Sequence, residues 1–472
     1  MRTTGHFIDG TTRAPESGRY MTITNPATSE PVTSVALGGA SDARLAAAAA
    51  SRAQQSWSEL SYAERSRILL AVAQRVRAAA KELTEIEVSE TGKLLAGMPK
   101  EVHDSADYFE FYGGTIRALF GKTLGLGAGQ HVYTRHEPYG VVAMITPWNS
   151  PLLQAARGIA PALAAGNVVV VKPSEFTPSS TVRLSQLALE AGLPSGVLNV
   201  VTGTGPDAGM PLIEDPAVRK VAFTGSVQTG RTLARICAKR LIPITLELGG
   251  KSPNIVFADA DLDRASASGA GFTRNCGQVC STLSRLIVER TVHDVVVSRI
   301  LDHLKLVTPG DFLAPITTAA QFARVQSYFD IASAEGARLA VGGKVVCDGA
   351  LDNGRYLLPT VYTDVIPSMR IFQEEIFGPV LTVTAFDTEE EAVSLANATE
   401  YGLIASIWTS DVQRAHRVAA RIDAGQVSVN GGLLGIETPF GGYKASGLGR
   451  EKGFDALFEY TQIKTVAVAT GN

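Results

Sequence analysis

A thiol and a carboxylate in this sequence form a pair that could attack a carbonyl compound and then release it. Cys280 lies in the polar segment Asn275-Cys-Gly-Gln-Val-Cys-Ser, and Glu247 lies in Leu246-Glu-Leu-Gly-Gly-Lys. A thiol can act as a nucleophile and a carboxylate as a general base. Because most cysteines in such chains are inert packing residues, spacing alone leaves this pair as a hypothesis.

Other common motifs are weak or absent. Gly203-Thr-Gly-Pro-Asp-Ala fits only the relaxed dinucleotide fingerprint, and a plain turn between a strand and a helix explains it equally well. Gly250-Lys-Ser resembles the end of a P-loop, but position 245 is Thr where Gly is required, which excludes a P-loop ATPase. The cysteines and histidines lack zinc-type spacing, so no metal site is expected.

The composition is that of a globular protein with a full core. The chain has 472 residues, of which 45% are hydrophobic and 19% charged, and this length corresponds to about three domain-sized units. Its 43 basic and 46 acidic residues leave a net charge of −3, so no nucleic-acid partner is expected. Four cysteines fit a reducing compartment. With no signal peptide and no apolar run of about 18 residues, we expect a cytoplasmic protein without a membrane partner.

The pattern of elements predicts an α/β fold. Residues 40–120 are typical of helices, and the glycine-spaced segment 121–137 predicts a protruding ribbon. From residue 140 onward, short Val-rich runs alternate with helical stretches, as in parallel sheets covered by helices on both faces. We predict strands at 141–145, 167–171, 198–201, 219–223, 254–257, 285–289, 380–386 and 427–429, with helices at 151–165, 178–191, 206–213 and 227–238.

Seven segments, in order along nearly the whole chain, resemble the aldehyde dehydrogenase superfamily. They are Ile145-Thr-Pro-Trp-Asn-Ser-Pro, Val170-Val-Lys-Pro-Ser-Glu, Phe223-Thr-Gly-Ser, Leu246-Glu-Leu-Gly-Gly-Lys, Gly277-Gln-Val-Cys, Glu374-Glu-Ile-Phe-Gly-Pro and Pro439-Phe-Gly-Gly-Tyr-Lys-Ala-Ser-Gly-Leu-Gly-Arg. The resemblance implies a Rossmann-like cofactor domain plus an α/β catalytic domain, with a small β oligomerisation element.

The resemblance assigns the covalent chemistry to three residues. Cys280 matches the nucleophile, whose thiolate attacks the aldehyde carbon to give a thiohemiacetal. Asn149 matches the amide that, with the backbone N–H of Cys280, holds the developing negative charge. Glu247 matches the base that activates water to hydrolyse the thioester. This base is typically missing in the CoA-acylating branch, so a free carboxylic acid is the expected product.

The resemblance also implies a nicotinamide cofactor. Lys172 and Glu175 match residues that hold the adenosine ribose. Ser226 matches a pyrophosphate contact at a helix start, and Glu375 and Phe377 match residues that position the nicotinamide ribose and ring. A carboxylate at position 175 repels a 2′-phosphate, which favours NAD, although Lys172 could serve the phosphate of NADP. The expected cofactor contacts are Ile145, Thr146, Pro147, Trp148, Lys172, Ser174, Glu175, Gly205, Phe223, Thr224, Gly225, Ser226, Glu375 and Phe377.

Two arginines bear on the substrate. Arg274 and Arg157 match arginines of succinate-semialdehyde dehydrogenases that bind the distal carboxylate of the substrate. Two guanidinium groups in a narrow tunnel favour an anionic tail. The alternative for Arg157 is an internal salt bridge, and arginine near that position also resembles aromatic aldehyde dehydrogenases. Aromatic or aliphatic aldehydes are therefore the alternative substrates.

The family fold implies a division of the chain. We expect a cofactor-binding domain at 1–118 and 138–246, a catalytic domain at 247–456, and an oligomerisation element at 119–137 and 457–472. That element is expected to build a homodimer or homotetramer by extending a sheet. Loss of Cys280, Glu247 or Asn149 would have indicated a non-enzymatic binding or structural homologue, but all three are present.

Overall fold

The first half of the protein is built on an eight-stranded sheet. The computed structural model describes residues 1–347 and 349–471. Five central strands run parallel, in the spatial order Ile244–Glu247, Val218–Thr224, Val141–Ile145, Val168–Lys172 and Leu198–Val200. Antiparallel strands close the edges, with Gly447–Leu448 at one side and His6–Ile8 followed by Thr11–Arg13 at the other. The parallel strands end at one edge of the sheet, where α/β folds bind ligands.

Helices cover both faces of this sheet. They are Ala40–Ser58, Tyr62–Ala78, Ala80–Thr91, Met98–Thr115, Pro151–Ala164, Ser179–Glu190, Met210–Glu214 and Val227–Arg240. Local sequence sets their starts: Ser61 and Glu64 exchange hydrogen bonds in a capping box at the first turn of Tyr62–Ala78. The helix predicted at 206–213 begins instead with a π-helical turn, Gly205–Gly209. The Val-rich strands are buried at nearly every position, which explains their lack of alternation.

A seven-stranded sheet forms the second half. Its spatial order is Arg338–Val341, Thr360–Thr363, Val380–Phe386, Arg285–Glu289, Pro253–Val256, Ile404–Trp408 and Gln426–Val429, and all neighbours are parallel except the first pair. Its helices are Leu262–Ala270, His293–Leu304, Ala319–Ala334, Arg370–Gln373, Glu389–Asn397 and Val412–Ala419, whereas the short helix Ala456–Glu459 packs into the core of the first half. Thr360–Thr363 and Ile404–Trp408 were not predicted, because Thr, Ser and Ala interrupt their apolar runs.

A third sheet brings two distant segments together. Gln130–Pro138 and Thr461–Ala469 pair antiparallel along their whole length, with Thr123–Leu124 beside them. The segments predicted to form an oligomerisation element therefore lie in one sheet, and the oligomer itself stays a prediction. Smaller sheets join Arg2–Thr4, Pro31–Ala36 and Tyr20–Thr24, and Tyr401–Gly402 with Tyr443–Lys444. The Gly447–Leu448 strand crosses the predicted domain boundary, since it extends the first sheet.

Two statements apply to residues 1–347 and 349–471. No helix there is both long and apolar enough to cross a membrane. No group of three or more His, Cys, Asp or Glu side chains there is placed to hold a metal ion.

Arg285 ties the second sheet to the segment that follows Glu247. It is 1% exposed and donates three hydrogen bonds of 2.7 Å to backbone carbonyl oxygens, those of Lys251, Leu395 and Ala396. Burial lowers the pKa of Arg285 to about 9. Three carbonyl groups thus depend on one side chain for their hydrogen bonds.

We expect Arg285→Met to lower the free energy of unfolding by about 3 kcal/mol or more, because it leaves three buried carbonyls without donors. Arg290→Met is the matched control: Arg290 lies at the end of the same strand, pairs with Asp387 and is largely exposed. It should cost at most about 1 kcal/mol. Urea unfolding of both variants measures the difference, and equal losses would contradict this account of Arg285.

Candidate active site

A cleft of about 680 Å³ opens at the edge where the parallel strands of the first sheet end. Ten of the residues expected from the sequence line it: Pro147, Trp148, Asn149, Thr224, Gly225, Ser226, Glu247, Cys280, Glu375 and Phe377. The first seven follow or end strands of the first sheet, and the last three precede strands of the second. The cleft therefore joins the two halves of the chain.

The loop before Cys280 has an unusual backbone. Asn275, Cys276 and Gly277 have φ values of 47°, 54° and 71°, so three consecutive residues lie in the left-handed region. Such a run is uncommon for residues with side chains. Gly277 is required here, since a Cβ atom would collide with the carbonyl of Gly378. This tight turn presents Cys280 at the cleft.

Gln278 holds the loop, and the sequence analysis gave it no role. Its buried side chain donates to the carbonyls of Asn275 (3.0 Å) and Pro315 (3.1 Å) and accepts from the N–H of Thr317 (2.9 Å). Its own carbonyl accepts a 2.8 Å hydrogen bond from Nδ2 of Asn149. Gln278 thus fixes the predicted oxyanion donor relative to the nucleophile loop. The signal for it was a glutamine within the motif around Cys280.

The two neighbouring cysteines differ in access. Cys280 lines the cleft, and burial raises the pKa of its thiol to about 11, with the charge of Arg157 opposing the shift. Cys276 is fully buried in the apolar core of the second sheet, and burial raises its pKa too. Cys276 therefore packs, whereas Cys280 is available for reaction.

Glu247 ends its strand in a dry environment. It is 2% exposed, and neither carboxylate oxygen has a hydrogen-bond donor among the described residues. Burial raises the pKa of Glu247 well above its usual value, the nearby Glu451 adds to this, and Arg157 opposes it. Gly441 passes over the carboxylate, where a Cβ would lie 2.8 Å from Oε1. This crowding shields the carboxyl group from bulk water.

Arg157 and Arg274 occupy different places. Arg157, in the helix Pro151–Ala164, forms an internal salt bridge with Glu451, and both side chains are 7% exposed. An internal salt bridge was the alternative to substrate binding for Arg157, and the charge of its guanidinium is paired in the structure. Arg274 is exposed, with an extended backbone, and is not among the residues that line the cleft. Binding of a substrate carboxylate by these two arginines stays a prediction.

The helix Val227–Arg240 points its first turn at the cleft. Ser226 caps it, accepting a 3.2 Å hydrogen bond from the N–H of Thr229. Free N–H groups and the helix dipole make such a terminus favourable for anions. Arg231 and Arg235 of this helix also line the cleft. Their spacing of four residues is, from sequence alone, most simply that of a solvated helix face, so they were not expected at the cleft.

Lys172 and Glu175 lie beside the cleft. The ammonium of Lys172 donates to the carbonyl of Gly203 (3.1 Å) and lies 3.5 Å from a carboxylate oxygen of Glu175. Burial lowers the pKa of Lys172, and Glu175 opposes that shift. The rest of the expected cofactor set, Ile145, Thr146, Ser174, Gly205 and Phe223, also lies outside the lining of the cleft.

Glu375 and Phe377 close the opposite wall. Glu375 accepts a 3.1 Å hydrogen bond from the N–H of Gly250, and burial raises the pKa of Glu375 to about 7. A Cβ at Gly249 would collide with this carboxylate and displace it, so glycine at 249 leaves room for Glu375 in its present position. Phe377 has a left-handed φ of 59°, and its ring meets that of Trp148 edge-on at 5.5 Å between centroids.

Comparison with known proteins gives a consistent result. Residues 13–466 match the aldehyde dehydrogenase family. The chain is 42% identical over 473 residues to a betaine aldehyde dehydrogenase of Bacillus subtilis (strain 168), covering 98% of this chain and 96% of the relative. An NAD-dependent aldehyde dehydrogenase from Sinorhizobium meliloti has a TM-score of 0.96 at 42% identity, covering 100% of this chain and 96% of that one. A betaine aldehyde dehydrogenase from Staphylococcus aureus in complex with NAD+ has a TM-score of 0.97 at 37% identity, covering 99% and 95%.

These matches confirm the superfamily and the fold class indicated by the seven motifs. None of the three proteins is named a succinate-semialdehyde dehydrogenase, so the subclass suggested by Arg157 and Arg274 is not confirmed.

We expect iodoacetamide to label Cys280 but neither Cys276 nor Cys237 in the folded protein, because the latter two are buried in cores. The rate should rise steeply from about pH 7 to pH 10, since the raised pKa leaves little thiolate at neutral pH. Mass spectrometry of digested protein measures each site, and Cys280→Ala controls the assignment. A rate independent of pH in that range would contradict the raised pKa.

Proposed function

Because the chain belongs to the aldehyde dehydrogenase family, we propose that it oxidises an aldehyde to the carboxylic acid with NAD+ through a covalent intermediate on Cys280. The observation that carries this proposal is the convergence of Cys280, Glu247 and Asn149 in one cleft with Ser226 and Glu375. Nucleophile, base and oxyanion donor thus meet beside groups suited to a dinucleotide.

The residues fit a dinucleotide on physical grounds. Ser226 begins a helix whose free N–H groups suit a pyrophosphate. Because Gly249 has no side chain, the carboxylate of Glu375 faces the cleft, where it is suited to accept hydrogen bonds from ribose hydroxyls. Glu175 favours NAD over NADP by repelling a 2′-phosphate. When bound, NAD+ supplies the hydride acceptor.

The first half-reaction forms and oxidises a thiohemiacetal. The deprotonated sulfur of Cys280 bonds to the aldehyde carbon, and the carbonyl electron pair moves to oxygen. Asn149 already donates one amide hydrogen to the carbonyl of Gln278, which leaves its other amide hydrogen to stabilise this oxygen together with the N–H of Cys280. When the oxyanion collapses, the C–H electron pair leaves as hydride, for which bound NAD+ would be the acceptor, and a thioester remains on Cys280.

The second half-reaction needs the carboxylate form of Glu247. That carboxylate takes a proton from water, the hydroxide oxygen bonds to the thioester carbon, and the sulfur of Cys280 leaves as the carboxylic acid forms. Because its pKa is raised, Glu247 is protonated over a wider pH range than an exposed glutamate. Hydrolysis should therefore slow as the pH falls through the pKa of Glu247.

We expect Glu247→Gln to retain a single burst of NADH and to lose steady-state turnover by at least about a hundredfold, because acylation proceeds but no base activates water. Stopped-flow NADH fluorescence measures both phases, and mass spectrometry detects the acylated Cys280. Cys280→Ala should show neither phase. Steady turnover in Cys280→Ala would refute the covalent mechanism.

We infer that the aldehyde carries an anionic group, such as the carboxylate of a semialdehyde. Support comes mainly from Arg274, which lies exposed on the loop that leads to Cys280. The positive charge of Arg157 also acts on Cys280 and Glu247, although Glu451 pairs with it. The alternatives are aromatic or aliphatic aldehydes, or the trimethylammonium aldehyde named by the Bacillus and Staphylococcus relatives. A cation would meet like charges here, which is unfavourable.

We expect succinate semialdehyde to exceed hexanal and benzaldehyde in kcat/KM, with betaine aldehyde the poorest substrate. The rate of NADH formation at pH 7 gives kcat/KM for all four aldehydes. In Arg274→Ala, KM should rise about threefold for succinate semialdehyde and stay unchanged for the other three. If hexanal equals succinate semialdehyde, the proposed anionic substrate is wrong, while NAD+-dependent aldehyde oxidation stands.

A further inference from the structure

Lys452 lies beside the reacting groups, although no motif assigned it a role. It directly follows Glu451, and its half-buried ammonium lies 5.0 Å from the centre of the Phe440 ring. It is near enough to act electrostatically on Cys280 and Glu247. The segment that carries it packs under the loop before Phe440, since a Cβ at Gly453 would lie 3.0 Å from the carbonyl oxygen of Glu437.

The charge of Lys452 is unpaired in the part of the chain that the structure describes. Two cations contact the Phe440 ring, because the guanidinium of Arg157 also lies 5.1 Å from its centre. Arg157 is neutralised by Glu451. Lys452 has no salt bridge or hydrogen bond of its own among the described residues. One cation, Arg157, and three acidic groups, those of Cys280, Glu451 and Glu247, act on it electrostatically. Since Glu451 already pairs with Arg157, the other two acidic groups are the reacting groups themselves.

The backbone aims this side chain inward. Lys452 has a φ of 58°, in the left-handed region that glycine and asparagine tolerate better than lysine. A strained residue that persists beside an active site points to a function for its side chain. Here the residue with the strained backbone places its ammonium over Phe440.

We propose that Lys452 is a specificity-determining residue that binds the anionic group of the aldehyde substrate. This rests on the proposed function and deepens it. In a partly desolvated site an unpaired cation attracts an anion far more strongly than it would in water. Lys452 thus takes the role that the sequence analysis gave to Arg157, whose charge is already used.

The thiolate of Cys280 is the competing partner for this charge. The pKa of Cys280 nevertheless stays raised to about 11 with Lys452 nearby, so the resting thiol is neutral and leaves the ammonium free. Burial lowers the pKa of Lys452 to about 8, so it is mostly protonated at pH 7. The cation is therefore present and available when an anionic substrate enters.

The test compares matched aldehydes at pH 7: succinate semialdehyde against butanal, and 4-carboxybenzaldehyde against benzaldehyde. The measured quantity is the ratio of kcat/KM for the anionic and neutral member of each pair. Lys452→Gln should lower at least one ratio by about tenfold or more, mainly through KM, whereas Lys452→Arg should keep it within about threefold. Lys452→Asn is the second charge-free variant, since asparagine tolerates the left-handed backbone.

Three results would overturn the proposal. Wild-type protein that prefers the neutral member of both pairs has no anion site. If Lys452→Gln and Lys452→Asn lower kcat/KM equally for the anionic and the neutral aldehyde of a pair, Lys452 supports the site in general and does not select the anion. A rise in the apparent pKa of Cys280 alkylation, with the ratios unchanged, would assign its charge to the thiolate. Absence of NADH formation with every aldehyde would instead refute the proposed function itself.

Discussion

The hydrogen bonds of one buried glutamine fix the geometry on which the site depends. Gln278 ties its own loop to the backbone near Thr317 and receives the amide of Asn149 on its carbonyl. Nucleophile loop and oxyanion donor come from sheets built by different halves of the chain, so nothing local in sequence could hold them in register. A side-chain amide that is saturated by backbone groups has little freedom to move. Gln278 thus fixes the distance between Asn149 and the loop of Cys280, which belong to different sheets.

Desolvation governs the chemistry of this site as much as geometry does. Burial raises the pKa values of both Cys280 and Glu247, which disfavours the charged forms of the nucleophile and of the base alike. Each charged form becomes favourable only when something compensates for it. A nicotinamide cofactor bound in the cleft would supply such compensation through its positive charge, because a cation stabilises a thiolate. The arrangement links reactivity to occupancy of the cleft.

The sequence predicted those features of the fold and the site that depend on neighbouring residues, but not those that depend on contacts between distant segments. The Val-rich parallel strands and the motifs around Glu247 and Cys280 were recognisable, because burial on both faces and sharp glycine turns leave direct marks on sequence. The partner of Arg157 was not, since Glu451 lies almost 300 residues away and only the fold brings them together. Lys452 escaped notice for the same reason. The strands Thr360–Thr363 and Ile404–Trp408 were missed because their polar and small residues hide the apolar run.

The salt bridge between Arg157 and Glu451 restricts how this protein can change over evolution. Removing either partner alone strands an isolated charge in a dry site, which is far more damaging than replacing both together. Because two substitutions rarely arise together, we expect both residues of this salt bridge to be retained. Lys452 carries no such obligation, because among the described residues its ammonium contacts the Phe440 ring and forms no salt bridge. Drift in substrate preference within this scaffold should therefore proceed by single changes at position 452, with the neighbouring ion pair left intact.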